Sequence, residues 1–357
     1  MMTSSPNSSH AMDLLSNLLF SRVKEDALRD LSDGQFQGML TLGNSHHVVM
    51  RSMDTLRGIM ACAHDYKRYE WASQAIERER GRIDNAISCL QKICAALASE
   101  KCDVVVIKSL DHWPDFGSDV DLYTNAPPED VIRILTREFT ARVEPRSWGD
   151  RLANKWNFVV PGVPELLEIH MGRLGQTGEL TGFARPLVAR SRPVSIGNHL
   201  FRVPSVEDRL VICTLQRMYR HFYIRLCDIA DTAELLEAGV IDYEDLQSVA
   251  QRSGIWEGVA TFLTIASDYL RAYRGRGVAL PSPVRSAARF GASQVHFEKG
   301  FLRVPILPYS AHLYASEWAT LMLGGNLRST ARLSLLPCLA TAAALGQKIT
   351  GSDKGIW

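Results

Sequence analysis

The chain lacks a C-x-x-C pair. Its seven cysteines, Cys62, Cys89, Cys94, Cys102, Cys213, Cys227 and Cys338, are scattered and odd in number. That argues against a disulfide framework and against a structural zinc site, and it fits a reducing compartment. An excess of either charge is missing too: 40 Lys+Arg against 39 Asp+Glu leave a net charge of +1. So weak a field gives no bulk attraction to nucleic acid or to an anionic membrane. There is no membrane-length apolar run, since Leu333–Leu345 is too short to span a bilayer and contains Pro337. The leading MMTSSPNSSHAM has no basic stretch ahead of Leu14–Phe20, so no signal peptide is read there. No internal repeat or low-complexity tract stands out. The expectation is a cytoplasmic protein.

What is present suits a globular fold: 46% hydrophobic and 22% charged over 357 residues, enough for two domains or for one with a helical extension. Residues 1–10 read as a disordered leader. Residues 11–99 read as a helical region, with short helices punctuated at Asp33-Gly34 and Gly43-Asn44 and then a long charged helix from about Asp65 to Ser99. Within that helix Ile87, Leu90, Ile93, Cys94 and Leu97 form one stripe that would pack on a sheet beginning at Asp103. His46-His47 sits after the second break. Neighbouring residues face different ways on a helix, so capping or surface roles are favoured over ligation by both.

Residues 100–203 read as an α+β core. Pro127-Pro128-Glu129-Asp130 begins a helix whose buried face is Val131, Ile132, Leu135 and Phe139. Lys155–Val160 and Glu165–Met171 read as a hairpin about Pro161-Gly162-Val163-Pro164, and Val194–Val203 as two short strands about Gly197-Asn198. Ser205-Val206-Glu207-Asp208 is a capping signature that opens a helical domain over 204–275, broken at Gly239 and Gly254. Residues 276–357 read as an extension of short helices.

The chemistry concentrates in Val104–Tyr123. A short apolar strand ends at Lys108-Ser109, and Gly117-Ser118 opens a second strand, Asp119-Val120-Asp121-Leu122. Strand alternation turns Asp119 and Asp121 to one face and Val120 and Leu122 into the core. Parallel carboxylates repel unless a cation lies between them, and hard divalent ions such as Mg2+ take oxygen ligands of this kind. A phosphoryl-transfer site needs a third acid from a neighbouring strand. Leu166–His170 offers Glu168, which shares a face with His170.

This order resembles the nucleotidyltransferase superfamily of the DNA polymerase beta type: a small-residue turn after one strand, a D-h-D strand about ten residues on, then an acid on a later strand. It is most similar to poorly characterised bacterial nucleotidyltransferases with a lysine in the turn and acid-h-His on the third strand, as in Glu168-Ile169-His170. The similarity spans roughly residues 45–250, including Arg225–Asp231. It implies a small mixed-sheet core flanked by N-terminal helices and a C-terminal helical domain. The implied activity moves a nucleoside monophosphate from ATP or another NTP to a hydroxyl of a small molecule, peptide or protein, in natural-product biosynthesis or self-protection. Asp119, Asp121 and Glu168 would hold Mg2+ (or Mn2+), with Glu168 also helping to activate the acceptor. Lys108, Ser109 and Ser118 would meet the phosphates.

Two departures stand out. The glycine usual beside the turn serine is missing. The loop 110–117 carries Asp111, His112 and Asp115 but no arginine, an acidic neighbour for a triphosphate. On a helix running on from Arg217, the residues Arg217, His221, Arg225 and Asp228 fall on one stripe. That stripe reads either as a solvated face or as a basic face closing over the nucleotide, with Arg225 and Asp228 in contact. Trp113 and Trp156 are candidates to stack on a base, although anchoring of the loop in the core is the favoured role of Trp113. The alternatives are a non-catalytic protein of this fold acting through a protein partner, and a metal-dependent nuclease or phosphatase.

Overall fold

The computed structural model describes residues 6–21, 28 and 31–342. The first helix, Pro6–Phe20, begins inside the stretch read as a leader, and residues 1–5 lie outside the described residues. Two further helices follow, Asp33–Ser45 and Val49–Cys62. Asp33-Gly34 starts one of them rather than breaking it, because Ser32 caps the Gln35 amide in a full capping box.

The long charged helix forms over Tyr66–Ser99, with the Asp65 carboxylate accepting from the Arg68 amide at its start. Its buried residues divide between two cores. Ala72, Ala75 and Ile76 join the large core of the helical regions, whereas Ile83, Ala86, Ile87, Leu90, Ile93 and Leu97 join a smaller core beneath the sheet. One helix therefore ties the α+β core to the helices around it.

The sheet has five strands: β1 (Val104–Val106), β2 (Asp119–Thr124), β3 (Arg142–Val143), β4 (Lys155–Val159) and β5 (Leu166–Met171). Their order is β1-β2-β5-β4-β3. β2 and β5 run parallel and every other pairing is antiparallel, which makes this a mixed α+β fold. The Pro128–Phe139 helix lies between β2 and β3 in the chain. It buries Val131, Ile134 and Leu135, while Ile132 and Phe139 stay half-buried. β6 (Arg192–Ile196) and β7 (His199–Val203) form the expected hairpin, its turn made by Gly197 at φ +56°.

Beyond Ser205, which caps the Asp208 amide, helices run over Val206–Thr214, Leu226–Ala238, Tyr243–Arg252 and Trp256–Arg274. The breaks at Gly239 and Gly254 fall where glycine takes a positive φ. The expectation of one helix from Arg217 through Asp228 is corrected. Leu215–His221 winds as a π-helical turn, Phe222 turns left-handed at φ +53°, and Tyr223–Ile224 forms a short strand, β8. The expectation of helices alone in the tail is corrected too: β9 (His296–Glu298) and β10 (Phe301–Arg303) form a hairpin about Lys299-Gly300, and β10 pairs with β8. Three-residue strands are too short to show a period. Among the described residues, no helix is long and apolar enough to cross a membrane.

Candidate active site

The parallel pairing of β2 with β5 brings the predicted acids together. Asp121 lies in register with Glu168 and Tyr123 with His170, and β4 sets Asn157 beside Glu168 and Lys155 beside His170. Val120, Leu122, Leu167 and Ile169 alternate into the core. The opposite face therefore carries Asp119, Asp121, Glu168, His170 and Lys155. Ligating atoms of Asp121, Glu168 and His170 all lie within 4.8 Å of one another. Asp119 is half-exposed at the edge of this group, its carboxylate accepting from the Ser118 hydroxyl at 3.2 Å.

Buried carboxylates at this spacing need positive charge, and two lysines supply it. Lys108 Nζ pairs with Asp121 Oδ1. Lys155 Nζ lies 3.0 Å from Glu168 Oε1 and 3.1 Å from Asp150 Oδ1. The two acids divide accordingly. Burial pushes Asp121 up to about 6; Lys108 opposes this, and the charges of Glu168 and Asp119 add to it. Burial also acts to raise Glu168, but Lys155 and then Lys108 outweigh it and hold the group down to about 2. Asp119 is raised by burial and by the charge of Glu168. His170 is held well below its ordinary value by burial and the two lysines, and neither ring nitrogen has a hydrogen-bond partner.

The turn after β1 aims Lys108 at this face. The Ile107 amide donates to the Asp121 carbonyl at 3.0 Å, extending the ladder, and the Ser109 amide then turns back to the Ile107 carbonyl at 2.6 Å. That tight turn puts Lys108 at φ +63°. A left-handed residue other than glycine costs roughly 1–2 kcal/mol. The turn thus forms without a glycine, and the lysine itself bears the strain. Ser109 is 2% exposed, and its hydroxyl accepts from the Asp121 amide at 2.8 Å while donating to the Asp119 carbonyl at 3.2 Å. It braces the D-x-D strand, which is a different task from meeting a phosphate.

The acids of the 110–117 loop turn away from the site. Asp111 pairs with Arg209 at 2.7 Å, His112 Nδ1 meets Asp231 Oδ2 at 2.5 Å, and Asp115 pairs with Arg51 at 2.8 Å. Arg51 also reaches Asp231 at 2.8 Å, and the Met50 amide donates to Asp115 at 2.6 Å. Arg82 donates to the carbonyls of Phe116 and Gly117, both at 3.1 Å, and pairs with Glu165 at 2.5 Å. The loop read as an acidic neighbour for a triphosphate is therefore compensated: Arg51 and Arg209, from two helices, pair with its acids, and Arg82 binds its carbonyls. Beside Lys108 and His170 lies a cavity of about 40 Å³, also lined by Gly175, Gln176, Gln216 and Arg220. That is room for roughly three waters.

Compared with protein-family models and with curated proteins, the chain matches none.

Of the predicted residues, the structure gathers Asp119, Asp121, Glu168, Lys108, Ser109 and Ser118 around one sheet end. Arg225 and Asp228 belong to a second cluster. Asp228 is 2% exposed, its Oδ2 lying 2.6 Å from Arg217 Nε and accepting from the Arg225 amide at 2.7 Å. Arg217 is 1% exposed, so a solvated stripe is corrected as well; the pair meets across the Phe222 turn rather than along one helix. Arg225 Nη1 donates to His47 Nε2 at 2.6 Å. His46 caps, as favoured, but from the interior: its Nδ1 accepts from the Leu226 amide at 2.9 Å and its carbonyl from Cys227 at 3.3 Å. Trp113 is 40% exposed, so its anchoring in the core is corrected. Trp156 is half-buried with the Arg146 guanidinium 4.1 Å above its ring.

One residue of the site, Lys155, is not singled out in the sequence, and His170 is named there only beside Glu168. Lys155 opens β4, and its place beside Glu168 depends on strand register. The face that His170 shares with Glu168 is readable from alternation; its two unpartnered nitrogens are not.

Proposed function

We propose that the protein is a nucleotidyltransferase, moving a nucleoside monophosphate from ATP or another nucleoside triphosphate to a hydroxyl of a small molecule, peptide or protein. The observation that carries this is the register of two parallel strands. It faces Asp121 with Glu168, puts Asp119 two residues along, and sets the Lys108-Ser109 turn against them. The donor set suits Mg2+ or Mn2+: Asp121 and Glu168 lie close together beside a buried imidazole with both nitrogens free of hydrogen bonds, and Asp119 stands two residues along the same strand. Asp119, Asp121 and Glu168 would hold the ion, with His170 beside them. When bound, it neutralises phosphate charge and the charge that grows on the leaving group.

The chain's own residues supply the rest. Lys108 exchanges Asp121 for the triphosphate as its partner, a point charge delivered by a strained turn. Ser109 fixes the spacing of Asp119 and Asp121. Glu168, held far down, stays ionised and serves as a ligand, while Asp121 is the carboxyl on this face that takes up a proton near neutrality. The acceptor oxygen attacks the α-phosphorus, the bond to pyrophosphate breaks in line, and the hydroxyl proton leaves with solvent. Positioning and charge neutralisation provide most of the acceleration in such reactions.

The second reading is a non-catalytic protein of this fold acting through a protein partner. What favours it is that two lysines already neutralise the acids and the adjoining cavity is small. Product identity separates the chemistries: pyrophosphate marks nucleotidyl transfer, orthophosphate a phosphatase or ATPase. Glu168→Gln should cut turnover far more than nucleotide affinity, and a variant that changes neither would remove Glu168 from the reaction.

A further inference from the structure

A second group of ligating side chains lies behind the candidate active site, where the 110–117 loop meets the start of the Leu226–Ala238 helix. His112, Cys227 and Asp228 present ligand atoms that all lie within 4.8 Å of one another. Cys227 Sγ is 3.8 Å from His112 Nε2 and 3.9 Å from Asp228 Oδ1. A second thiol, Cys213 Sγ on the Val206–Thr214 helix, is 3.8 Å from the same Asp228 oxygen. In a tetrahedral zinc site, bonds of about 2.3 Å to sulfur and 2.0 Å to nitrogen or oxygen set such edges near 3.5 Å. The three spacings given reach that by closing a few tenths of an ångström, whereas Cys213, near Asp228 but outside the 4.8 Å group of the other three, has to swing further in to complete the tetrahedron.

Two of the ligands, His112 and Asp228, are also held from behind. His112 Nδ1 is engaged by Asp231, which leaves Nε2 aimed at the thiol. Asp228 Oδ2 is held by Arg217 and the Arg225 amide, which leaves Oδ1 turned to both sulfurs. A ligating imidazole backed by a carboxylate is the usual outer shell of a metal-bound histidine. His112, Cys227 and Asp228 are 8%, 0% and 2% exposed, and a cavity of about 30 Å³ lined by His112, Cys213 and Asp228 adjoins the group.

We propose that His112, Cys227 and Asp228, with Cys213 as fourth ligand, bind one zinc ion. Sulfur donors select a thiophilic dication over Mg2+ or Ca2+. Arg217 and Arg51 already balance Asp228 and Asp231, so the negative charge for the ion comes from the two thiols, which give their protons to solvent. The ion staples the loop to two helices of the C-terminal region. That loop joins Lys108 to Asp119, so zinc at His112 restrains the connection between the turn and the strand that carry the site. The inference stands independently of nucleotidyl transfer.

The test uses the full chain. Metal analysis of purified protein should find about one zinc per chain, and thermal melting should show loss of stability on stripping with a chelator and its return with added Zn2+. Replacing zinc with Co2+ should produce a thiolate-to-cobalt charge-transfer band in the near ultraviolet. Cys227→Ser and Cys213→Ser should each weaken or abolish that band, whereas Cys62→Ser, an exposed thiol elsewhere, should keep it. If Cys227→Ser does not fold, the wild-type cobalt spectrum and Cys213→Ser still decide. No stoichiometric zinc would overturn the proposal. So would cobalt binding without a thiolate band, a band surviving both substitutions, or a Cys213–Cys227 disulfide in the reduced purified protein.

Discussion

Glu317 gives the sharpest test of the physics of this fold. It lies in the Ala311–Leu323 helix at 0% exposure, its carboxyl hydrogen-bonded to that of Glu179. Burial pushes its pKa well above the ordinary glutamate value of 4.5, and the charge of Glu179 pushes it the same way. Glu179 is equally buried, but its carboxylate accepts from the Gln176 amide at 2.9 Å and from the Thr177 amide and hydroxyl at 2.7 and 2.9 Å. The proton therefore belongs on Glu317. A carboxyl raised on folding binds in the native state a proton that the unfolded chain gives up. Its contribution is present below 4.5 and is lost as pH rises towards the folded-state value, at about 1.4 kcal/mol per pH unit. Glu317→Gln keeps the shape and removes the titration. Urea denaturation of both proteins at rising pH from about pH 5 should give a difference that grows in favour of the variant until the folded-state value is reached. Parallel curves would refute the assignment.

Lys155→Met takes the cation from buried Asp150 and half-buried Glu168, and urea denaturation should show a loss of up to about 3–5 kcal/mol. Added Mn2+ should restore part of that loss; no restoration would count against an ion at Glu168. Ser109→Ala strands the buried Asp121 amide, a loss of about 1–3 kcal/mol. It should lower turnover with little change in nucleotide affinity, and a large loss of affinity would instead make Ser109 a phosphate contact.

The acids, the Tyr66–Ser99 helix and the β4–β5 hairpin were legible because alternation, capping and turn residues are local signals. Asp119, Asp121 and Glu168 share a face in sequence and in space for the same reason, period two on β2 and β5. The partners of the acids were not legible. Lys155 reaches Glu168 through strand register, and Asp111 and Asp115 find Arg209 and Arg51 across long stretches of chain. The Arg217–Asp228 pair misled because Phe222 takes a left-handed turn that nothing in its residue type announces. His112, Cys213 and Cys227 come from three separate segments, so no cysteine spacing reveals them.

The most direct measurement of the central claim is calorimetric titration of the protein with each of the four nucleoside triphosphates, with and without Mg2+ or Mn2+. The account predicts cation-dependent binding of at least one triphosphate, lost in Asp121→Asn while that variant keeps its fold, and pyrophosphate release once an acceptor is supplied. Binding of none of the four, or binding unchanged in Asp121→Asn, would contradict it.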